Sequence, residues 1–356
     1  MTSAPANSQD QEAAEPRRVL SIQSHVVSGY VGGKAAVFPM QLLGWDVDVV
    51  NTVQFSNHSG YGRFGGPRTE ASDLANIFAY LEQNGLLQPS RVLTGYIPNA
   101  KSLEVIATVV RKLKARKPEV IYLLDPVMGD AGKLYVAEDV VPIYRSLLSS
   151  ASIITPNYYE VEVLTGVPLT DAESLRAALR ILHVGYGVPH VVVSSIPPSE
   201  ALRASVPFPR QAFGAEEDLL LCVCSSRTGD GSAEAPSVVH AFGIARLEGY
   251  FSGVGDLFSA LVLAHFGGAE GAEGLREATG LAVGTTHRIL RDTAAHSARL
   301  DLEGLPITDD ELDGQDPERR VRRMRARELR VVQNAAAIVG RAERAEGVGW
   351  DAFWAV

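Results

Sequence analysis

Between residues 17 and 197 the chain alternates six short β-branched runs with five longer amphipathic segments. The runs are RRVLSIQSHV, WDVDVVNTVQF, RVLTGYI, EVIYLLDPVMGD, SIITPNYYE and HVVVSSIP. Between them lie KAAVFPMQLLG, TEASDLANIFAYLEQNGLL, SLEVIATVVRKLKARKP, EDVVPIYRSLLSSA and DAESLRAALRILHVGYG. The first set predicts strands, and the apolar i, i+3, i+4 spacing of the second predicts helices. Strands that alternate with helices of this length join as parallel neighbours through crossovers, so the expected fold is α/β, a mostly parallel sheet with helices on both faces. Ligands of such sheets bind beyond the carboxyl ends of the strands. The polar residues collect there: Ser24 and His25, Gly95 and Tyr96, Asp125 and Asp130, Thr155 and Asn157, Ser194 and Ser195.

Two stretches depart from the alternation. Residues 197–240 mix Pro-rich and Gly/Ser-rich pieces around one short apolar run, LLLCVC, which predicts an irregular excursion with a β-hairpin and a mobile lid loop. Residues 301–330 split by charge, with seven acids in DLEGLPITDDELDGQD and seven arginines in PERRVRRMRARELR. The acidic block can neutralise the basic one within the chain, which predicts a solvated linker or helix face. The whole chain carries 33 basic against 42 acidic residues, a net charge of −9, which argues against a general nucleic-acid or anionic-membrane surface. Cys222 and Cys224 are the two cysteines; in a strand they face the same way and read as small buried residues of a reducing compartment. The first residues are polar and acidic, unlike a signal or transit peptide, and predict a disordered tail over 1–17 on a soluble cytoplasmic protein, with a nuclear fraction left open.

Four motifs carry candidate chemistry, each with a plainer alternative. In GYFSGVGDLFSALVLAHF, residues Gly253, Val254, Gly255 and Asp256 form the N-terminal turn of a helix, where free N–H groups favour an anion; Asp256 is equally a helix cap. DPVMGD sets Asp125 and Asp130 at a strand end, hard oxygen donors suited to Mg²⁺ or residues of a turn. TPNYYEVEVLTG places Asn157 and Glu160 on one face of a first helical turn, for phosphate and metal-bound water or as a capping box. QFSNHSGYGRFGG reads as a flap with His58 and Ser59 pointing inward, or as a surface loop. Together these are the parts of a phosphoryl-transfer site: an anion hole, acids for Mg²⁺ and a carboxylate base. There is no G-x-x-x-x-G-K-[ST] loop and no protein-kinase signature set.

The stretch VLSIQSHVVSGYVGGKAAVFPMQLLGWDVDVVNTVQFSNHSGY resembles the N-terminal signature of pyridoxal kinases, within the ribokinase-like superfamily. LTGYI, DPVMGD, LYVAEDVVPIYR, IITPNYYEVEVLTG, VVVSS, GVGDLFSALVLA and the late RELRVVQ continue the resemblance in order. It covers roughly residues 18–300 and 326–340. It implies a three-layer sandwich with a β-flap over the substrate, ATP-dependent phosphorylation of pyridoxal, pyridoxine and pyridoxamine, and a homodimer. It further implies a kinase domain over 18–300, a charged insertion at 301–325 and a segment 326–356 packing back on that domain. The resemblance makes Asp256 the catalytic base and gives the anion-hole amides to Gly253, Val254 and Gly255. It gives the pyridine substrate Ser24, Val31, Ser59 and Tyr96, with His58 in the same flap. Asp130 and, through water, Glu160 would serve Mg²⁺; Asp125, Thr155 and Ser194 would surround K⁺ or Na⁺; and Asn157, Ser194 and Ser195 would reach ATP. Val254 and Ser59 depart from the threonines frequent in the family, and 197–240 and 301–325 match it poorly. The rival readings are a hydroxymethylpyrimidine kinase of the same superfamily, a non-catalytic carrier of vitamin B6 phosphate, and nucleic-acid binding through the arginines.

Overall fold

The structure, a computed structural model, describes residues 17–208, 219–228, 235–267, 271–300, 310–340 and 344–355. The expected tail, save Arg17, lies outside the described residues. So do 209–218 and 229–234 of the expected excursion and 301–309 of the charged stretch.

The alternation is present as expected. It begins with β1 (Arg18–Val26), α1 (Gly33–Leu42), β2 (Asp46–Phe55), α2 (Ala71–Gln83), β3 (Arg91–Thr94), α3 (Ala100–Arg116) and β4 (Ile121–Leu124). A small antiparallel hairpin follows, β5 (Gly129–Asp130) and β6 (Lys133–Leu134). Next come α4 (Val140–Leu147), β7 (Ile153–Ile154), α5 (Tyr158–Thr165), α6 (Ala172–Arg180) and β8 (His190–Ile196). The strand expected over SIITPNYYE is only two residues long, because Asn157 caps α5 immediately after Pro156. The remaining elements are α7 (Glu200–Ser205), β9 (Leu219–Arg227), β10 (Ser237–Ala245), α8 (Val254–His265), α9 (Gly271–Ala298), α10 (Asp310–Gln315), α11 (Pro317–Ala326), α12 (Ala335–Val339) and β11 (Val348–Gly349).

One nine-stranded sheet runs in the order β11-β10-β9-β8-β7-β4-β3-β1-β2. Its members from β2 to β8 are parallel, and β9, β10 and β11 add antiparallel at the far edge. The excursion therefore does not stand apart from the sheet: β9 and β10 pair residue for residue from Leu219↔Ala245 to Arg227↔Ser237 and extend it. The expected hairpin is thus present as β9 and β10, its second strand running to Ala245, past the end of the expected excursion.

Side-chain alternation along each strand feeds two cores. Leu20, Ile22, Val92, Tyr122, Leu124 and Val191 pack with α2 through α6 on one face. Val19, Leu93, Leu123, Val192, Cys222, Cys224 and Phe242 pack with α1, α8 and α9 on the other. The two cysteines are free, buried and on the same face, as their spacing required, and burial raises both thiols. No helix among the described residues is long and apolar enough to cross a membrane.

Of the two readings for the arginine-rich stretch, linker or helix face, the helix is present and the acidic block does neutralise it, though partly in the interior. The stretch forms α11, in which Arg319 and Arg323 are buried and both pair with Asp313 of α10. A charge run reads as surface until one knows that its acid partner folds back six and ten residues away.

Candidate active site

The strand order changes direction at β1, which lies between β2 and β3. A crevice opens beyond the carboxyl ends at such a switch point. Ser24 sits near the end of β1, and Tyr96 follows β3.

The helix α8 brings its N-terminus to this crevice. Its first intrahelical bond runs from the Leu257 N–H to the Gly253 carbonyl, so the amides of Val254, Gly255 and Asp256 precede the ladder. Gly253 has a left-handed φ of 82°, and a Cβ there would lie 2.0 Å from the Tyr30 carbonyl oxygen. Glycine is required by this approach of α8 to the β1–α1 loop, in addition to any ligand. Gly255 differs: a Cβ there would meet nothing within 4 Å. Asp256 does not cap the helix, since the N-cap is Gly253 and no side chain caps it. Its Oδ2 accepts the Gly32 N–H at 2.7 Å instead, and this bond aims the carboxylate across the crevice. Burial pushes the Asp256 carboxyl above the ordinary aspartate range, and the Gly32 N–H opposes that shift.

A cavity of about 290 Å³ runs from this N-terminus along the strand ends. It brings together Asp125, Asp130, Thr155, Asn157, Glu160, Ser194 and Ser195 with Gly253, Val254, Gly255 and Asp256. Asp125 is buried, and its Oδ2 accepts the Ser259 hydroxyl at 3.0 Å, which lies 2.8 Å from Thr155 Oγ1. Asn157 and Glu160 form the capping box of α5, each side chain accepting the other's backbone N–H at 2.9 Å. Glu160 Oε1 also accepts the Met128 N–H at 2.9 Å, and the Asn157 amide donates to the Gly129 carbonyl at 2.8 Å. The pair thus locks the loop after β4 to α5, so the capping box and the site are one construction. Burial raises the carboxyls of both Asp125 and Glu160, and the charges of Glu160 and Asp256 raise Asp125 further. Asp130 is exposed and accepts the Ala131 N–H.

Sequence reading missed the far end of the cavity. Leu220 of β9, Ile244 of β10 and Val283 and Leu290 of α9 make an apolar slot there, joined by Thr286 and His287. Thr286 Oγ1 and His287 Nε2 are buried and without a partner among the described residues. The unmatched polar pair inside the apolar run GLAVGTTHRIL was the one signal available.

The residues expected to hold the second substrate do not line this cavity. Ser24 is buried beside Gly32, whose φ is 55° and whose Cβ would lie 2.3 Å from Ser24 Oγ. Val31 and Tyr96 pack on Val26, Val53 and Phe55. The flap differs from expectation in one respect: His58 is buried, but Ser59 is exposed at the start of a single 3-10 turn, Ser59–Tyr61. His58 Nε2 lies 3.2 Å from Glu328 Oε1, a residue that sequence reading quoted within RELRVVQ but gave no role. The two groups of residues meet at Gly32, which touches Ser24 on one side and Asp256 on the other.

A mostly parallel sheet with this helix N-terminus and aspartate at its switch point defines a kinase of the ribokinase-like class. Pyridoxal kinase of Arabidopsis thaliana is 41% identical over 277 residues, 78% of this chain and 82% of that protein, and that of Sus scrofa is 39% identical over 81% of this chain and 86% of its own length. The chain belongs to the pyridoxal kinase family. The solved pyridoxal kinase from Leishmania donovani in complex with ADP and pyridoxamine is 32% identical, with a TM-score of 0.75 over 94% of this chain and 99% of that one. A family model described as phosphomethylpyrimidine kinase matches residues 85–204.

Proposed function

We propose that this chain transfers the γ-phosphoryl group of ATP to the 5′-hydroxymethyl group of pyridoxal, and of pyridoxine and pyridoxamine, yielding pyridoxal 5′-phosphate and its analogues in vitamin B6 salvage. The single observation that carries the reading is the Asp256 carboxylate, held by the Gly32 N–H where the long cavity meets the Ser24 side of the crevice. ATP would fill the cavity, its base in the slot of Leu220, Ile244 and Leu290 and its phosphates toward α8. The substrate hydroxyl would lie at Asp256, which accepts its proton as the oxygen attacks phosphorus. The raised carboxyl makes Asp256 a stronger base than a solvated aspartate. The α8 amides from Gly253 to Gly255 would take up the charge on the moving phosphoryl group.

The cavity lining holds four carboxylates, Asp125, Asp130, Glu160 and Asp256, and no lysine or arginine among the described residues. A polyphosphate cannot enter such a surface without cations, so the donor set fits a hard divalent ion. Among the described residues no three carboxylate, histidine or cysteine groups converge as a metal cluster. Asp130, with Glu160 through water, would hold Mg²⁺; Asp125, Thr155 and Ser194 would hold K⁺ or Na⁺; and Asn157, Ser194 and Ser195 would contact ATP. When bound, the divalent ion neutralises charge shared by the β- and γ-phosphates. A homodimer, a cytoplasmic location and a kinase domain over 18–300 completed by 326–356 belong to the same reading.

Purified protein incubated with Mg·ATP and pyridoxal is expected to form pyridoxal phosphate. Asp256→Asn is expected to lose about 10²–10⁴-fold in kcat, the range for a general base. The competing substrate is hydroxymethylpyrimidine, and a higher kcat/KM on it would reassign the enzyme. Tight pyridoxal binding with no turnover would make the chain a carrier.

A further inference from the structure

The C-terminal segment grips the substrate side of the crevice through one carboxylate. Glu328 Oε2 accepts the Tyr30 N–H at 2.9 Å. Its Oε1 accepts the Tyr61 hydroxyl at 2.8 Å and faces His58 Nε2 at 3.2 Å. Tyr30 belongs to the β1–α1 loop, whereas His58 and Tyr61 belong to the flap, so Glu328 ties the two walls together. The helix α11 reinforces the grip: the Arg320 Nε–H donates to the Gly60 carbonyl at 2.7 Å, and Arg63 of the flap pairs with Glu318. On the loop, the Tyr30 N–H precedes by two residues the Gly32 N–H that holds Asp256. A continuous path of hydrogen bonds and one short stretch of backbone therefore runs from the flap through Glu328 to Asp256.

We infer that Glu328 is a positioning residue for the vitamer, fixing the distance of the flap from Asp256; the inference rests on the kinase reading above. Three donors converge on it, which suits an ionised carboxylate because it only accepts. Burial alone would raise its carboxyl, yet the hydrogen bonds from His58, Tyr61 and Tyr30 hold it below the ordinary glutamate range. An amide of the same shape can accept from the Tyr30 N–H and face the flap with its N–H₂ only if the Tyr61 hydroxyl and the His58 ring turn from donating to accepting, and it gives up the charge that strengthens all three bonds. Glutamine therefore holds the two walls together more weakly than the carboxylate does. The path meets the nucleotide cavity only at Asp256, since neither Glu328 nor any flap residue lines it.

The test compares wild type, Glu328→Gln and Glu328→Asp in two assays. Steady-state kinetics with Mg·ATP are expected to show KM for pyridoxal raised at least tenfold in Glu328→Gln and KM for ATP within twofold of wild type. Glu328→Asp, which keeps the charge, is expected to recover part of the loss. Limited trypsin digestion without substrate is expected to cleave after Arg63 at least fivefold faster in Glu328→Gln. An unchanged pyridoxal KM, or equal rises in both KM values, overturns the positioning role. Unchanged cleavage overturns the hold on the flap. If wild type itself forms no product, the kinase reading fails, and the trypsin rates alone decide whether Glu328 clamps the flap.

Discussion

Gly253 and Gly255 flank one residue of the same turn and answer to different forces. Gly253 carries a positive φ and lies under the Tyr30 carbonyl, while Gly255 is helical with open space around it. Alanine at 253 must bear a left-handed backbone, at about 1–2 kcal/mol, and displace the β1–α1 loop besides. Gly253→Ala is therefore expected to lower unfolding free energy by about 2 kcal/mol or more in urea titrations. Gly255→Ala is expected to be neutral or to add up to about 1 kcal/mol, the helix-propensity difference. Equal losses from both would remove the proposed role of the Tyr30 contact. The same turn shows why Asp256 does not cap its helix: its carboxylate is spent on Gly32, across the crevice.

At the scale of elements, α8 is held at both ends. Its N-terminus meets the β1–α1 loop, and its C-terminal carbonyls are held by side chains from the opposite end of the sheet. The buried Arg91 guanidinium donates to the Leu263 and Phe266 carbonyls and lies 4.2 Å over the Trp45 ring, whose Nε1–H reaches the Ala264 carbonyl at 3.2 Å. Among the described residues no carboxylate pairs with Arg91; the helix C-terminus and the aromatic face supply negative potential. Arg91→Met keeps the apolar stem and removes two charged hydrogen bonds from carbonyls that stay buried. A loss of about 3 kcal/mol in stability is expected from the usual worth of such bonds. A loss below about 0.5 kcal/mol in chemical denaturation would show that water replaces the guanidinium.

Across the whole molecule, the antiparallel extension is tied to the segment after α6 by a buried histidine. His183, past the end of α6, has its Nδ1 2.7 Å from the Val188 carbonyl and its Nε2 2.8 Å from Ser225 Oγ of β9. Ser225 in turn bonds Ser237 of β10. Burial lowers His183 from 6.5 to about 4. Its folded value lies below the unfolded one, so its contribution is intact above pH 6.5 and is lost as pH falls toward 4, where the unfolded chain binds a proton that the folded chain refuses. At about 1.4 kcal/mol per pH unit, the loss by pH 4 is roughly 3 kcal/mol. The acids Asp125, Glu160 and Asp256 have raised carboxyls and act in the opposite sense, so the difference between wild type and His183→Gln isolates the histidine. That difference, measured by urea unfolding, is expected to shrink steadily from pH 7 to pH 4. A difference independent of pH would place the titration elsewhere.

The sequence by itself determined the parallel part of the sheet, its two helical layers and the rim on which the chemistry collects, because period and strand-helix alternation are local properties of the chain. It also singled out the residues from Asp125 to Asp256 as one group, since they lie in compact motifs at strand ends and a helix start, and one cavity gathers all of them. Tertiary structure alone decided three matters. The docking of the β9–β10 hairpin on β8, which makes it the antiparallel edge of the large sheet, is set by pairing between strands and not by any local pattern. Asp313 is set against Arg319 and Arg323, which turned a charge run into a buried ion cluster. Glu328 reaches residues almost 300 positions away in the chain, at Tyr30, His58 and Tyr61. In each case the deciding contact joins groups whose chemistry is ordinary in sequence and is given meaning only by what folds against them.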